Sequence, residues 1–117
     1  MTRSLRTAGL VATAALLAAA GLVPASPAHA AALTVDVSCE SLGHYAVLCE
    51  RTIAGGVAPF KTRWYYNGNY FAGQDDKAFT SWSCTLSGPN SYKATVTDAV
   101  GASATDTSGV GCRSGNP

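Results

Sequence analysis

Charge is scarce in this chain and neither sign dominates: 13% of the residues are charged and the formal net charge is +1. A near-neutral chain with scattered charges has no electrostatic footprint for nucleic acid or an anionic membrane, so neither is expected as a partner. Histidine is as sparse, occurring only at His29 and His44. There is no Gly-x-Ser-x-Gly elbow to expose a serine nucleophile. Past residue 30 no apolar run approaches the about 20 residues needed to cross a bilayer, and no stretch shows helical period.

The chain opens with an export leader. Arg3 and Arg6 are followed by an apolar, alanine-rich segment over 8–23 and then by Ala28-His29-Ala30. Signal peptidase needs small side chains at the last and third-last positions before its cut, which Ala30 and Ala28 supply. Cleavage is therefore expected before Ala31, dividing the chain into a signal peptide, 1–30, and a mature domain, 31–117. The alternative of a retained membrane anchor is disfavoured by the short apolar run. Arg3 and Arg6 are not adjacent, against a twin-arginine route, and no cysteine stands at the cut, against a lipid anchor. The product is expected to be secreted and monomeric, with six basic residues facing seven acidic ones.

All ten aromatic residues and all four cysteines lie in the mature part. Its 87 residues allow one domain, which buries only about 60–65% of its unfolded surface, so covalent staples matter. Cys39, Cys49, Cys84 and Cys112 in an exported chain imply two disulfides. Zinc is disfavoured, because nine residues separate Cys39 from Cys49 and 27 separate Cys84 from Cys112, far from the close pairs such sites use. No cofactor is expected.

Leu33, Val35 and Val37 alternate with Thr34, Asp36 and Ser38, the period of a strand with one buried face. A turn over 41–44 leads to a second strand, 45–52, and Gly55-Gly56 then breaks the chain before Ala58-Pro59. Over 60–66 the residues Phe60, Thr62, Trp64 and Tyr66 share one face, and Lys61, Arg63 and Tyr65 the other. Asn67-Gly68 suits a tight type I′ hairpin, with 69–71 returning alongside. Gln74-Asp75-Asp76 reads as a polar loop tip, 77–84 as a strand, and 86–90 as a turn. Tyr92, Ala94 and Val96 alternate with Lys93, Thr95 and Thr97, and Asp98 to Gly101 is a hairpin loop whose aspartate can accept from backbone N–H groups. The last strand spans 102–112, and the tail after Arg113 is expected to fray. About seven short strands with a turn signal every 8–12 residues predict a Greek-key β-sandwich, with a five-stranded barrel as the alternative.

Two stretches carry a resemblance: 55–60 leading into Trp64-Tyr65-Tyr66-Asn67-Gly68, and the run 92–102 with its Val-Thr-Asp-x-x-Gly core. They resemble PKD-type, immunoglobulin-like domains of exported bacterial proteins. Tyr65-Tyr66-Asn67-Gly68-Asn69 stands where many such domains carry Asp-Phe-Gly-Asp-Gly. The resemblance implies an all-β, Ig-like (PKD-like) sandwich, a core role for Trp64, and a function in adhesion, spacing or binding. It also implies that the four cysteines gather at one pole. The pairing Cys39 with Cys49 and Cys84 with Cys112 is preferred, because the first two lie symmetrically about His44. Cys39 with Cys112 and Cys49 with Cys84 remains open. Tyr92 follows Gly88 by four residues, the offset at which a buried tyrosine hydroxyl bonds back to the chain at a Greek-key corner.

Little here supports catalysis. His44 falls in a tight turn, and Asp75-Asp76, a carboxylate pair of the kind used in glycoside hydrolysis or calcium binding, are expected to be solvated on their loop. The positive hint is aromatic: Tyr65, Tyr70, Phe71 and Trp82 either fill the core or present rings for stacking on a sugar or a protein. The expectation is a secreted, non-catalytic Ig-like module for an extracellular polysaccharide or protein. The alternatives are a small-molecule carrier similar to the neocarzinostatin-type chromophore carriers, which also have a nine-residue spacing inside one disulfide, and a protease inhibitor presenting the loop 75–78.

Overall fold

The computed structural model describes residues 31–116, and the expected leader lies outside them. Seven strands form in order: β1 (Thr34–Gly43), β2 (Ala46–Ala54), β3 (Lys61–Tyr66), β4 (Asn69–Tyr70), β5 (Phe79–Ser83), β6 (Ser91–Thr97) and β7 (Ser103–Gly109), with one 3-10 turn at Ala72–Gln74. They pair into a three-stranded sheet, β1-β2-β5, and a four-stranded sheet, β4-β3-β6-β7, antiparallel throughout. The chain passes between the sheets after β2, after β4 and after β5, which is the Greek-key route of an Ig-like sandwich.

The period-2 pattern decides which side chains meet. On β3, Thr62 and Trp64 are buried, and on β6 Tyr92, Ala94 and Val96 join them. Val37, Val47, Cys49, Thr80 and Trp82 face them from the other sheet. Trp64 stands directly across the ladder from Ala94, whose small side chain leaves room for the indole. The indole lies 6.2 Å from the ring of Trp82, and its N–H donates to the Lys77 carbonyl at 2.9 Å. That bond supplies the partner a buried tryptophan needs. Cys39 pairs with Cys49 across the β1–β2 ladder, and Cys84 with Cys112, with Cα–Cα separations of 4.1 and 5.6 Å.

The free edges are tied by side chains. Asp106 on β7 accepts the outward N–H of Val37 on β1 at 2.7 Å, joining the two sheets along one side and covering part of an unpaired strand edge. In the β2–β3 connection Gly55 has φ +69°, and a β-carbon there would run into the Ala32 carbonyl, so this close approach requires glycine. Asn67 and Gly68 both take positive φ, 49° and 85°, as a type I′ turn demands.

Asp98 closes the β6–β7 hairpin by accepting from Val57 N at 3.1 Å, Val100 N at 3.0 Å and Ala102 N at 2.8 Å. Burial works against its charge, but the backbone donors of Ala102, Val57, Val100 and Gly101 outweigh it and hold the carboxyl below its ordinary 3.8. A carboxyl depressed in the folded state stabilises the fold above its unfolded pKa, and that contribution drains away as pH falls through the folded value. Thermal melts of the wild type should therefore lose stability below about pH 4. Asp98→Asn should melt lower at neutral pH and lose less over the acid range. Parallel acid profiles would contradict this role.

Four local expectations need correction. β1 runs on to Gly43 with an irregularity between Ser41 and Gly43, so the turn falls at 43–45, where Gly43, His44 and Tyr45 all have positive φ. The tail is held rather than frayed: His44 N donates to Gly115 O and Tyr45 N to Arg113 O, both at 2.9 Å. Asp75 and Asp76 are not simply solvated. Asp76 accepts from Thr62 N at 2.8 Å, and Asp75 accepts the Tyr70 hydroxyl at 2.6 Å. Finally, the Tyr92 hydroxyl bonds the Ser83 carbonyl at 3.1 Å, at the end of β5 rather than near Gly88. Burial first, then neighbouring Tyr66, pushes its pKa up to about 12.

Candidate functional site

The four aromatic candidates separate into two places. Tyr65 and Tyr70 are cross-strand neighbours on the outer face of the four-stranded sheet, with ring centroids 5.6 Å apart. Lys93 lies 4.6 Å from the Tyr65 ring and Arg63 lies 5.2 Å from that of Tyr70, both within cation–π range. The hydrogen bond to Asp75 chiefly, then burial, raises the Tyr70 hydroxyl above its ordinary pKa.

Phe71 and Trp82 come together elsewhere, at the side of the sandwich where β4 and β5 leave a gap between the sheets. There they line an open cavity of about 280 Å³ with Tyr66, Ser83, Cys84 and Thr85. Alternation sets this up. Tyr65 and Tyr70 point outward, so Tyr66 and Phe71 turn to the inner side, where Trp82 of β5 faces them. Phe71 meets Trp82 edge-on at 5.4 Å, while Tyr66 stacks on Trp82 at 6.3 Å and on Tyr92 at 5.1 Å. Phe71 is 43% exposed and Trp82 9%, so the first forms an open wall and the second is largely core.

A polar network fixes the cavity wall. Asn90 is 4% exposed. Its Oδ1 accepts the Tyr66 hydroxyl at 2.8 Å and Thr85 N at 2.9 Å, while Nδ2 donates to Thr85 O at 2.9 Å. One side chain thereby holds both a cavity ring and the strand segment beside it, with its buried polar atoms satisfied. Gln74 Nε2 donates to Ser81 O at 3.2 Å, bridging the 3-10 turn to β5 near the cavity.

Sequence reasoning missed Tyr66 and Asn90 as site residues. The signal for Tyr66 was present, since it shares the Trp64 face at the strand end, where the core runs out. Asn90 gave none, because an asparagine after Gly-Pro reads as ordinary turn chemistry. Trp64 and Tyr92 are fully buried. His44 lies on the surface, its Nε2 2.9 Å from Asn116 Oδ1. Among the described residues no group of three or more His, Cys, Asp or Glu could hold a metal.

No family model and no curated protein matches the chain. Among solved structures, it is similar to the PKD1 domain of the Vibrio cholerae metalloprotease PrtV, with a TM-score of 0.53 and 26% identity. The likeness covers 69% of this chain and 99% of that domain. It supports a PKD-like version of the Ig-like sandwich.

Proposed function

We propose that this is a secreted, non-catalytic Ig-like binding module that takes one ring of an extracellular polysaccharide into the cavity lined by Tyr66, Phe71 and Trp82. The observation that carries the reading is that cavity: three aromatic walls for the C–H face of a sugar, with Ser83 and Thr85 contributing hydroxyl-bearing residues. The two disulfides suit an oxidising, extracellular setting, and similarity to one domain of a metalloprotease favours an accessory role. Catalysis gains no support, since Asp75, Asp76, Asp98 and Asp106 accept hydrogen bonds within the fold.

At about 280 Å³ the cavity suits a single ring of a larger ligand. The inhibitor alternative needs a loop with free backbone. Here the Lys77 carbonyl accepts from Trp64 and the Ala78 carbonyl from Arg51 N, so the second half of that loop has its acceptors engaged within the fold.

The test is retention on insoluble polysaccharides such as chitin, cellulose and xylan, followed by titration with soluble oligosaccharides monitored through tryptophan fluorescence. Phe71→Ala is expected to weaken binding about tenfold or more, as loss of an exposed aromatic anchor does, while leaving a cooperative melt. Retention on a protein matrix alone would move the partner to protein. Binding unaffected by Phe71→Ala would remove the cavity from the account.

A further inference from the structure

A net charge near zero conceals a sorting by sign that only the folded chain displays. Arg51, Arg113 and the four aspartates named above are engaged in hydrogen bonds within the fold. Lys77 lies in a loop. Every other charged residue among those described stands at an outward position on a sheet. On the three-stranded sheet these are Asp36 and Glu40 of β1 and Glu50 of β2. On the four-stranded sheet they are Lys61 and Arg63 of β3 and Lys93 of β6. One broad face of the sandwich is acidic, and the opposite face is basic, its three cations facing the single carboxylate of Asp75 at the β4 edge, where it accepts the Tyr70 hydroxyl.

The ladder registers show how evenly each set is spread. On the acidic face Ser38 pairs with Glu50 and Glu50 with Phe79, while Glu40 pairs with Leu48. On the basic face Lys61 pairs with Thr97, Arg63 with Thr95 and Tyr65 with Lys93. Successive outward residues along a strand lie about 7 Å apart and neighbouring strands about 4.8 Å, so both charge sets occupy patches of similar dimensions. Each patch also carries an apolar anchor: Phe79, 58% exposed, beside Glu50, and the Tyr65–Tyr70 pair beside Lys93 and Arg63.

We propose that copies of this protein stack face to face, the acidic three-stranded face of one on the basic four-stranded face of the next. A second copy fits better than a free polyanion, because a polyanion would account for the basic face alone, whereas self-stacking uses both. The two patches lie on opposite sides of one molecule, so the contact is heterologous and leaves a free face at each end. Association is then open-ended rather than closed at a dimer. It is independent of the cavity, which opens at the side of the sandwich.

Sedimentation equilibrium of the secreted protein tests this. At about 10 mM salt, where screening is weak, the weight-average mass should rise with concentration past that of a dimer, and at about 1 M salt it should fall to the monomer. Lys61→Glu/Arg63→Glu/Lys93→Glu makes both faces acidic, and Asp36→Lys/Glu40→Lys/Glu50→Lys makes both basic. Each variant alone should remain monomeric at low salt, and an equimolar mixture of the two should associate again. Circular dichroism confirms that each keeps its strands, and the mixture guards against simple loss of folding. A wild type that stays monomeric at low salt, including one that instead binds polygalacturonate through its basic face, would overturn the proposal. So would association unchanged in either variant, or a mixture that fails to associate.

Discussion

Trp64→Ala is expected to destabilise the domain by about 3–5 kcal/mol, the cost of emptying a large aromatic site in a packed core. Trp64 is fully buried, touches Trp82 of the opposite sheet, and donates from its indole to Lys77 O. Its removal therefore opens a void where the sheets meet and leaves the Lys77 carbonyl without its donor. A domain of 87 residues has a total stability of about 4–13 kcal/mol, so the variant should be partly unfolded at room temperature or melt far below the wild type. Trp64→Phe keeps most of the ring and loses the hydrogen bond, and should cost about 1–2 kcal/mol. Urea denaturation of the three proteins gives the comparison. A loss below about 1 kcal/mol for Trp64→Ala would mean that this tryptophan is not the centre of the core.

Removing the Cys84–Cys112 disulfide is expected to cost about 3.6 kcal/mol, against about 2.7 for Cys39–Cys49. The chain-entropy relation gives these values for sequence separations of 28 and 10. The structure supports the same order for a second reason. Cys39 and Cys49 are already opposed in the β1–β2 hairpin, whose ladder forms locally. Cys84 follows β5 of one sheet, and Cys112 lies beyond β7 of the other, so this bond joins the two layers. It also anchors the segment whose Arg113 and Gly115 carbonyls accept from the 43–45 turn. The double alanine variant at Cys84 and Cys112 should melt roughly 15–25 °C lower, and that at Cys39 and Cys49 roughly 10–20 °C lower. The reverse order would show that strain or residual unfolded-state structure, rather than loop closure, controls their contributions.

Much of the architecture was legible because its signals are local. Thr62-Arg63-Trp64 and Tyr92 to Val96 announce their buried faces by alternation, and Asn67-Gly68 announces its turn by the φ values it tolerates. Asp98 announces a loop closed by backbone donors for the same reason. The site was legible only in its ingredients. Tyr66, Phe71 and Trp82 belong to different segments and meet through the Greek-key crossing, which no spacing encodes. Asn90 acts on Tyr66 from 24 residues away. Asp75 and Asp76 look solvated in sequence because their partners, Tyr70 and Thr62, are brought by a turn and a ladder rather than by adjacency. The sorting of charge into an acidic and a basic face is hidden for a similar reason. Lys61, Arg63 and Lys93 share a face only once β3 and β6 pair in register.

Peptide mapping of the unreduced protein tests the two-sheet account most directly, because each cysteine pair reports which strands are neighbours. The account predicts one cross-linked species joining Cys39 to Cys49, another joining Cys84 to Cys112, and no free thiol. Cross-links joining Cys39 to Cys112 and Cys49 to Cys84 would contradict that pairing, and four alkylatable sulfhydryls would contradict the disulfide-linked sandwich itself.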